Sequence, residues 1–107
     1  MFFDDDSNQA NAYQKVQDED LTQHDPSLAH ELIAGAAAFE AQKAYMDHKE
    51  RSGTPENHEM AKELFAGFAA AAVDRLVESK GLDFVDREKA KYDARRQLEE
   101  QVSPDRY

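Results

Sequence analysis

One stretch of this chain is written twice. Residues 28–38 and 60–70 lie 32 positions apart and share seven identical pairs out of eleven, among them Glu31/Glu63, Leu32/Leu64, Ala34/Ala66 and Gly35/Gly67. Each copy carries helix-forming residues with apolar positions near a 3.6-residue period, so each reads as one face of an α-helix. A period near 32 occurs in helix-pair arrays, but two copies of one helix each do not make an array. The repeat therefore predicts a pseudo-symmetric pair of helices, antiparallel because the connection between them is short.

Small residues set the expected contact. A glycine inside a helix costs about 1 kcal/mol relative to alanine, so two of them suggest close approach of backbones. With a turn centred near residue 53, Gly35 is expected opposite Ala70 or Ala71, and Gly67 opposite Ala38 or Phe39. Phe39 and Phe68 would then cover the facing small residues. A seam this tight leaves little room for a ligand pocket.

Local signals bound the helices. Asp25-Pro26 joins a capping carboxylate to a proline suited to the first turn, so a helix is predicted over 26–49. Gly53 marks the turn, and Thr54-Pro55 repeats the cap-then-proline logic for a helix over 55–80, stopped by Gly81. Each spans about 36 Å. A third, charge-rich helix is predicted over 84–101, capped by Asp83 and ended by Ser103-Pro104. It has a weak apolar stripe of Val85, Ala90, Tyr92, Ala94 and Leu98 and is expected to dock loosely. Residues 102–107 form a tail. The fold class is all-α: a two-helix hairpin of long Ala/Gly-rich helices, a C-terminal charged helix and a short N-terminal helix or arm.

Charge separates the N-terminal part from the rest. Of the net −10, residues 1–25 hold −6, from seven acids and one base. This acidic arm has low hydrophobicity, which favours marginal order. Ser7 could cap a short helix to about Gln17, with Ala10, Tyr13 and Val16 on one side. The overall negative charge disfavours nucleic acid and anionic membranes as partners. Chain length allows one domain, placed at 26–101. The longest apolar run, residues 64–73, is half a membrane span. The Met-Phe-Phe-Asp-Asp-Asp start lacks the features of a secretory signal, and the chain has no cysteine. A cytoplasmic protein is expected, with the nucleus open to so small a chain.

Chemistry-bearing motifs are sparse. No HExxH, nucleophile elbow, Walker loop or dinucleotide fingerprint occurs. His48 and His58 flank the turn near Asp47, Glu50 and Glu59 and are the only candidates for a metal site, which the pattern is too thin to predict. Glu31 and Glu63 sit one turn inside their helices, where a carboxylate suits the dipole, and belong at opposite ends of the hairpin. No cofactor and no catalytic residue is expected.

Several blocks carry a family resemblance. His30-Glu31-Leu32-Ile33-Ala34-Gly35-Ala36-Ala37-Ala38-Phe39-Glu40, Lys43-Ala44-Tyr45 with Asp47-His48, Ala61-Lys62-Glu63-Leu64, and the run from Gly81 to Lys91 together resemble the CipC-like family of small fungal proteins, named for a concanamycin-induced protein. The resemblance implies a stress- or antibiotic-responsive role and brings no catalytic residues. The expected function is non-catalytic and works through protein association, as a homodimer or with an unknown protein partner. Leu28, Met46, Phe65, Leu76 and Phe84 are the expected leftover apolar surface. The alternative is a binder of an apolar small molecule or lipid held between the helix pair and a mobile third helix.

Overall fold

The computed structural model describes residues 3, 4, 6–18, 25–82, 85–102 and 104–107. Asp83, Phe84 and Ser103, given roles above, lie outside the described residues. The protein is all-helical, with four helices among the described residues: α1 (Asn8–Asp18), α2 (Pro26–Ser52), α3 (His58–Lys80) and α4 (Arg87–Glu100). α2 is the hub, and α1, α3 and α4 all pack on it. Its 27 residues, about 40 Å of helix, account for most of the 43 Å long axis of the molecule.

The ends of each helix follow from capping chemistry. The Asp25 carboxylate accepts from the Leu28 amide at 3.0 Å, and Pro26 occupies the first turn of α2. Gly81 takes the left-handed conformation, φ 66°, and ends α3 with its N–H on the Val77 carbonyl. The second helix starts later than predicted. Asn57, not Thr54, is the cap, accepting from Met60 N at 2.9 Å, and Pro55 belongs to the loop. α2 in turn runs on to Ser52, so residues 53–57 bridge the two helix ends. α4 is capped by Asp86, which accepts from Lys89 N at 3.2 Å. The Ser7 hydroxyl accepts from Ala10 N at 3.0 Å and starts α1.

This longer loop shifts the register between α2 and α3. Tyr45 meets Phe65, ring centroids 4.7 Å apart, where a turn centred near residue 53 predicts Met60 or Ala61. Further from the loop, Glu40 receives both arms of the Arg75 guanidinium, where that register predicts Phe65 or Ala66.

The two copies of the repeat have different surroundings. In α2 every residue from Leu32 to Phe39 is buried, because three helices close around it. Only side chains as small as Ala34, Gly35, Ala36, Ala37 and Ala38 let three neighbours approach one axis so closely. α3 buries one stripe only, Ala61, Phe65, Ala69, Ala72, Val73, Leu76 and Val77. Gly67 and Ala71 face outward.

The predicted glycine contacts are therefore corrected. A Cβ built on Gly35 would lie 3.0 Å from the Ala12 Cβ of α1, and neither Ala70 nor Ala71 is within reach. A Cβ built on Gly67 would meet nothing within 4 Å, so Gly67 faces neither Ala38 nor Phe39. Phe39 packs on Tyr13 of α1, centroids 5.3 Å apart, and Phe68 packs on His48 at 6.1 Å. Both rings contact neighbours other than the small residues expected.

The flanking segments are also more firmly held than predicted. Ala90, Ala94 and Leu98 of α4 are fully buried, while Tyr92, placed in the stripe above, is exposed. α1 lies along α2 with Ala12 and Val16 buried, and Phe3 enters the core ahead of it. Val102 is buried, and the Tyr107 carbonyl accepts from Lys49 Nζ at 3.1 Å. Phe65 and Leu76, expected as leftover apolar surface, are fully buried, and Met46 is half-buried. Leu28 stays exposed, as do Met60 and Tyr92.

Candidate functional site

Three regions of surface hold chemistry. The first is the loop end of the α2–α3 pair. A cleft of about 430 Å³ lies between the 53–57 loop and the first turns of α3, lined by His48, Pro55, Glu56, Met60, Glu63 and Leu64. Its position follows from the late start of α3, which leaves the loop standing off the helix. The His48 ring meets Phe68 edge-on, and its Nδ1 is buried with no hydrogen-bond partner. His58 lies instead against the Tyr107 ring, centroids 5.7 Å apart, with its Nε2 likewise buried and unpartnered. The two histidines near the turn thus have separate aromatic neighbours. No group of three or more His, Asp or Glu that could hold a metal ion occurs among the described residues.

The second region is the opposite end, where the first turns of α2 and α4 meet. His30 Nε2 and Asp93 Oδ2 are 2.7 Å apart, both partly buried, and join the two helices. Glu31 and Lys89 line the same cleft, of about 540 Å³. Glu31 and Glu63 consequently line clefts at opposite ends of the molecule. They do not form a carboxylate pair.

The third is the outer face of α3. Glu63, Gly67, Ala71 and Arg75 recur every four residues and are all exposed. They form one ridge with an acid at one end, a base at the other and two small residues between. Beside it, desolvation raises the Asp74 carboxyl, but hydrogen bonds from Lys91 and Arg87 more than offset this and hold it below its ordinary value. The hydrogen bond to Glu40 pushes Arg75 above its ordinary value. On the buried side, burial, reinforced by Tyr107, pushes the Tyr45 phenol up.

Two structural polar contacts carry no motif. Gln42 is the one buried polar residue among those described, and its side-chain amide bonds both backbone groups of Phe3, donating to the carbonyl at 2.9 Å and accepting from the amide. A signal for it exists: Gln42 interrupts the apolar spacing between Phe39 and Tyr45. The His30–Asp93 pair joins residues 63 positions apart, and nothing local announces it.

These features define a small all-helical protein built around one alanine-rich hub helix, with clefts at its surface. The chain belongs to the virulence factor CipC-like family, whose family model matches residues 12–105. No curated protein and no solved structure matches it. No helix among the described residues is long and apolar enough to cross a membrane.

Proposed function

We propose that this protein is non-catalytic and acts by association, as a homodimer formed through the outer face of α3, in the stress- or antibiotic-responsive setting that the family resemblance implies. The observation that carries the reading is the open environment of Gly67. In α2 the equivalent glycine sits where Ala12 of α1 docks, with a Cβ-to-Cβ approach of 3.0 Å. In α3 a Cβ built on Gly67 would meet nothing within 4 Å, and Gly67 and Ala71 are exposed.

The ridge also suits a second copy of itself. About a two-fold axis at the level of residue 69, an antiparallel α3 sets Gly67 against Ala71 of the other copy and Glu63 near its Arg75, whose guanidinium Glu40 of that same copy already holds. A closed two-fold interface needs such self-complementarity. Crossing of two ridges with four-residue spacing is the commonest helix packing, and small central residues let the axes come close. The dispersal of the polar groups supports the non-catalytic part: the repeat-related glutamates stand at opposite ends, and the His30–Asp93 pair is engaged in joining helices.

Light scattering on a size-exclusion column tests the reading. The wild-type chain is expected to elute as a dimer at high concentration. Gly67→Leu is expected to be monomeric with an unchanged fold, because its side chain enters open space in the monomer and blocks the close crossing. A wild-type chain that stays monomeric at every concentration overturns the proposal.

A further inference from the structure

We propose that the cleft beside the 53–57 loop binds a small apolar molecule carrying a protonated amine, with His48 and the carboxylates of Glu56 and Glu63 as its polar contacts. The volume, about 430 Å³, falls in the range of small-molecule sites, which join a mainly apolar lining to a few placed polar groups. The lining is of that kind. Met60 is 42% exposed, and Leu64 and Pro55 are half-buried beside it. These side chains leave apolar surface open to water beside the loop.

His48 supplies the second observation. Its ring is held edge-on against Phe68, so its direction is set by packing. Its Nδ1 is buried and meets no hydrogen-bond partner. An atom so enclosed is beyond the reach of a bound molecule, but His48 also lines the cleft, and the rest of its ring is what a ligand there meets.

Charge selects the class of ligand. Glu56 and Glu63 line the same cleft, and neither is held in an ion pair among the described residues. The net charge of −10 reinforces them by drawing cations toward the surface. A carboxylate ligand of the same shape meets repulsion from both. The cleft is complete within one chain; Glu63 also stands on the α3 ridge, so binding is measured at concentrations where the chain is monomeric.

Fluorescence titration with dansylcadaverine, a hydrophobic amine, tests it, with dansylglycine as the carboxylate counterpart of similar bulk. Dansylcadaverine is expected to bind one per chain with a blue-shifted emission, at least about tenfold more tightly than dansylglycine. The double variant Glu56→Gln/Glu63→Gln is expected to weaken amine binding about tenfold and to narrow that preference. His48→Phe keeps a ring against Phe68, removes the polar atoms of that ring, and is expected to weaken binding about fivefold. Gly67→Leu is expected to bind as the wild type does, which separates this inference from the association reading. The absence of saturable amine binding overturns it, as does equal affinity for the two probes. So does a Met60→Lys variant, folded by circular dichroism, that binds dansylcadaverine as tightly as the wild type.

Discussion

Gly35 lets Ala12 of α1 come close to the α2 backbone: a Cβ added to Gly35 would stand 3.0 Å from that of Ala12. Both carbons would be fixed to helical backbone, so neither can swing aside, and relief requires α1 to move. Gly35→Ala is therefore expected to lower stability by about 1 kcal/mol in spite of alanine's helical advantage. Urea unfolding measures it. Adding Ala12→Gly should recover part of the loss, since the two methyl groups would no longer compete for one space.

Gly67 is expected to behave in the opposite way. Its helical backbone has negative φ, and an added methyl group meets no atom within 4 Å. At concentrations where the chain is monomeric, Gly67→Ala should raise stability by about 0.5–1 kcal/mol, through helix propensity and a less flexible unfolded chain. The same measurement on the same sequence motif thus predicts opposite signs at its two copies. A loss at Gly67 comparable to that at Gly35 would show that α3 is covered in the monomer.

The pair also shows how far the sequence was legible. Helix ends are local events, and Asp25-Pro26 and Gly81 act where their chemistry predicts. Asn57 is the stronger cap by type while Thr54 has Pro55 after it, and the choice between them depends on the distance the loop has to bridge, which no local pattern records. The repeat identifies two helices with small-residue faces. It is silent on which neighbour each face meets, because Ala12 and Gly35 are 23 positions apart, and α1 outcompetes α3 for that surface through packing of the whole core. The candidate cleft was the least legible part. His48 was visible as a histidine near the turn, but its apolar neighbours Met60 and Leu64 read as core positions until the late start of α3 left them beside an open loop.

Gln42 and Phe3 supply a third test. The buried amide satisfies both backbone groups of Phe3, so replacing it leaves a buried N–H and a buried C=O without partners. Gln42→Leu is expected to cost about 2–4 kcal/mol, by the penalty for unsatisfied buried groups. Thermal unfolding checks the size. A chain lacking residues 1–6 has already lost the partner groups, and the same substitution there is expected to be neutral or mildly stabilising. An equal loss in both backgrounds would mean that Gln42 acts through packing alone.

The Asp74 cluster gives a pH dependence with a definite sign. Lys91 Nζ at 3.2 Å and Arg87 Nη1 at 3.3 Å outweigh desolvation and hold the carboxyl below its ordinary value in the folded chain. A carboxylate depressed on folding adds stability above its unfolded pKa, near 4, and that contribution is lost as pH falls through the lower folded value. Both partners and Asp74 are partly exposed, so screening keeps the effect small. Asp74→Asn is expected to lower the melting temperature by about 3 °C at pH 7. The gap between variant and wild type should shrink as pH falls below 4 and go on closing as Asp74 takes up its proton. Raising the salt at pH 7 should narrow the same gap. Melting curves that differ equally at pH 7 and pH 2 would show that the side chain contributes through helix propensity or packing rather than through its charge.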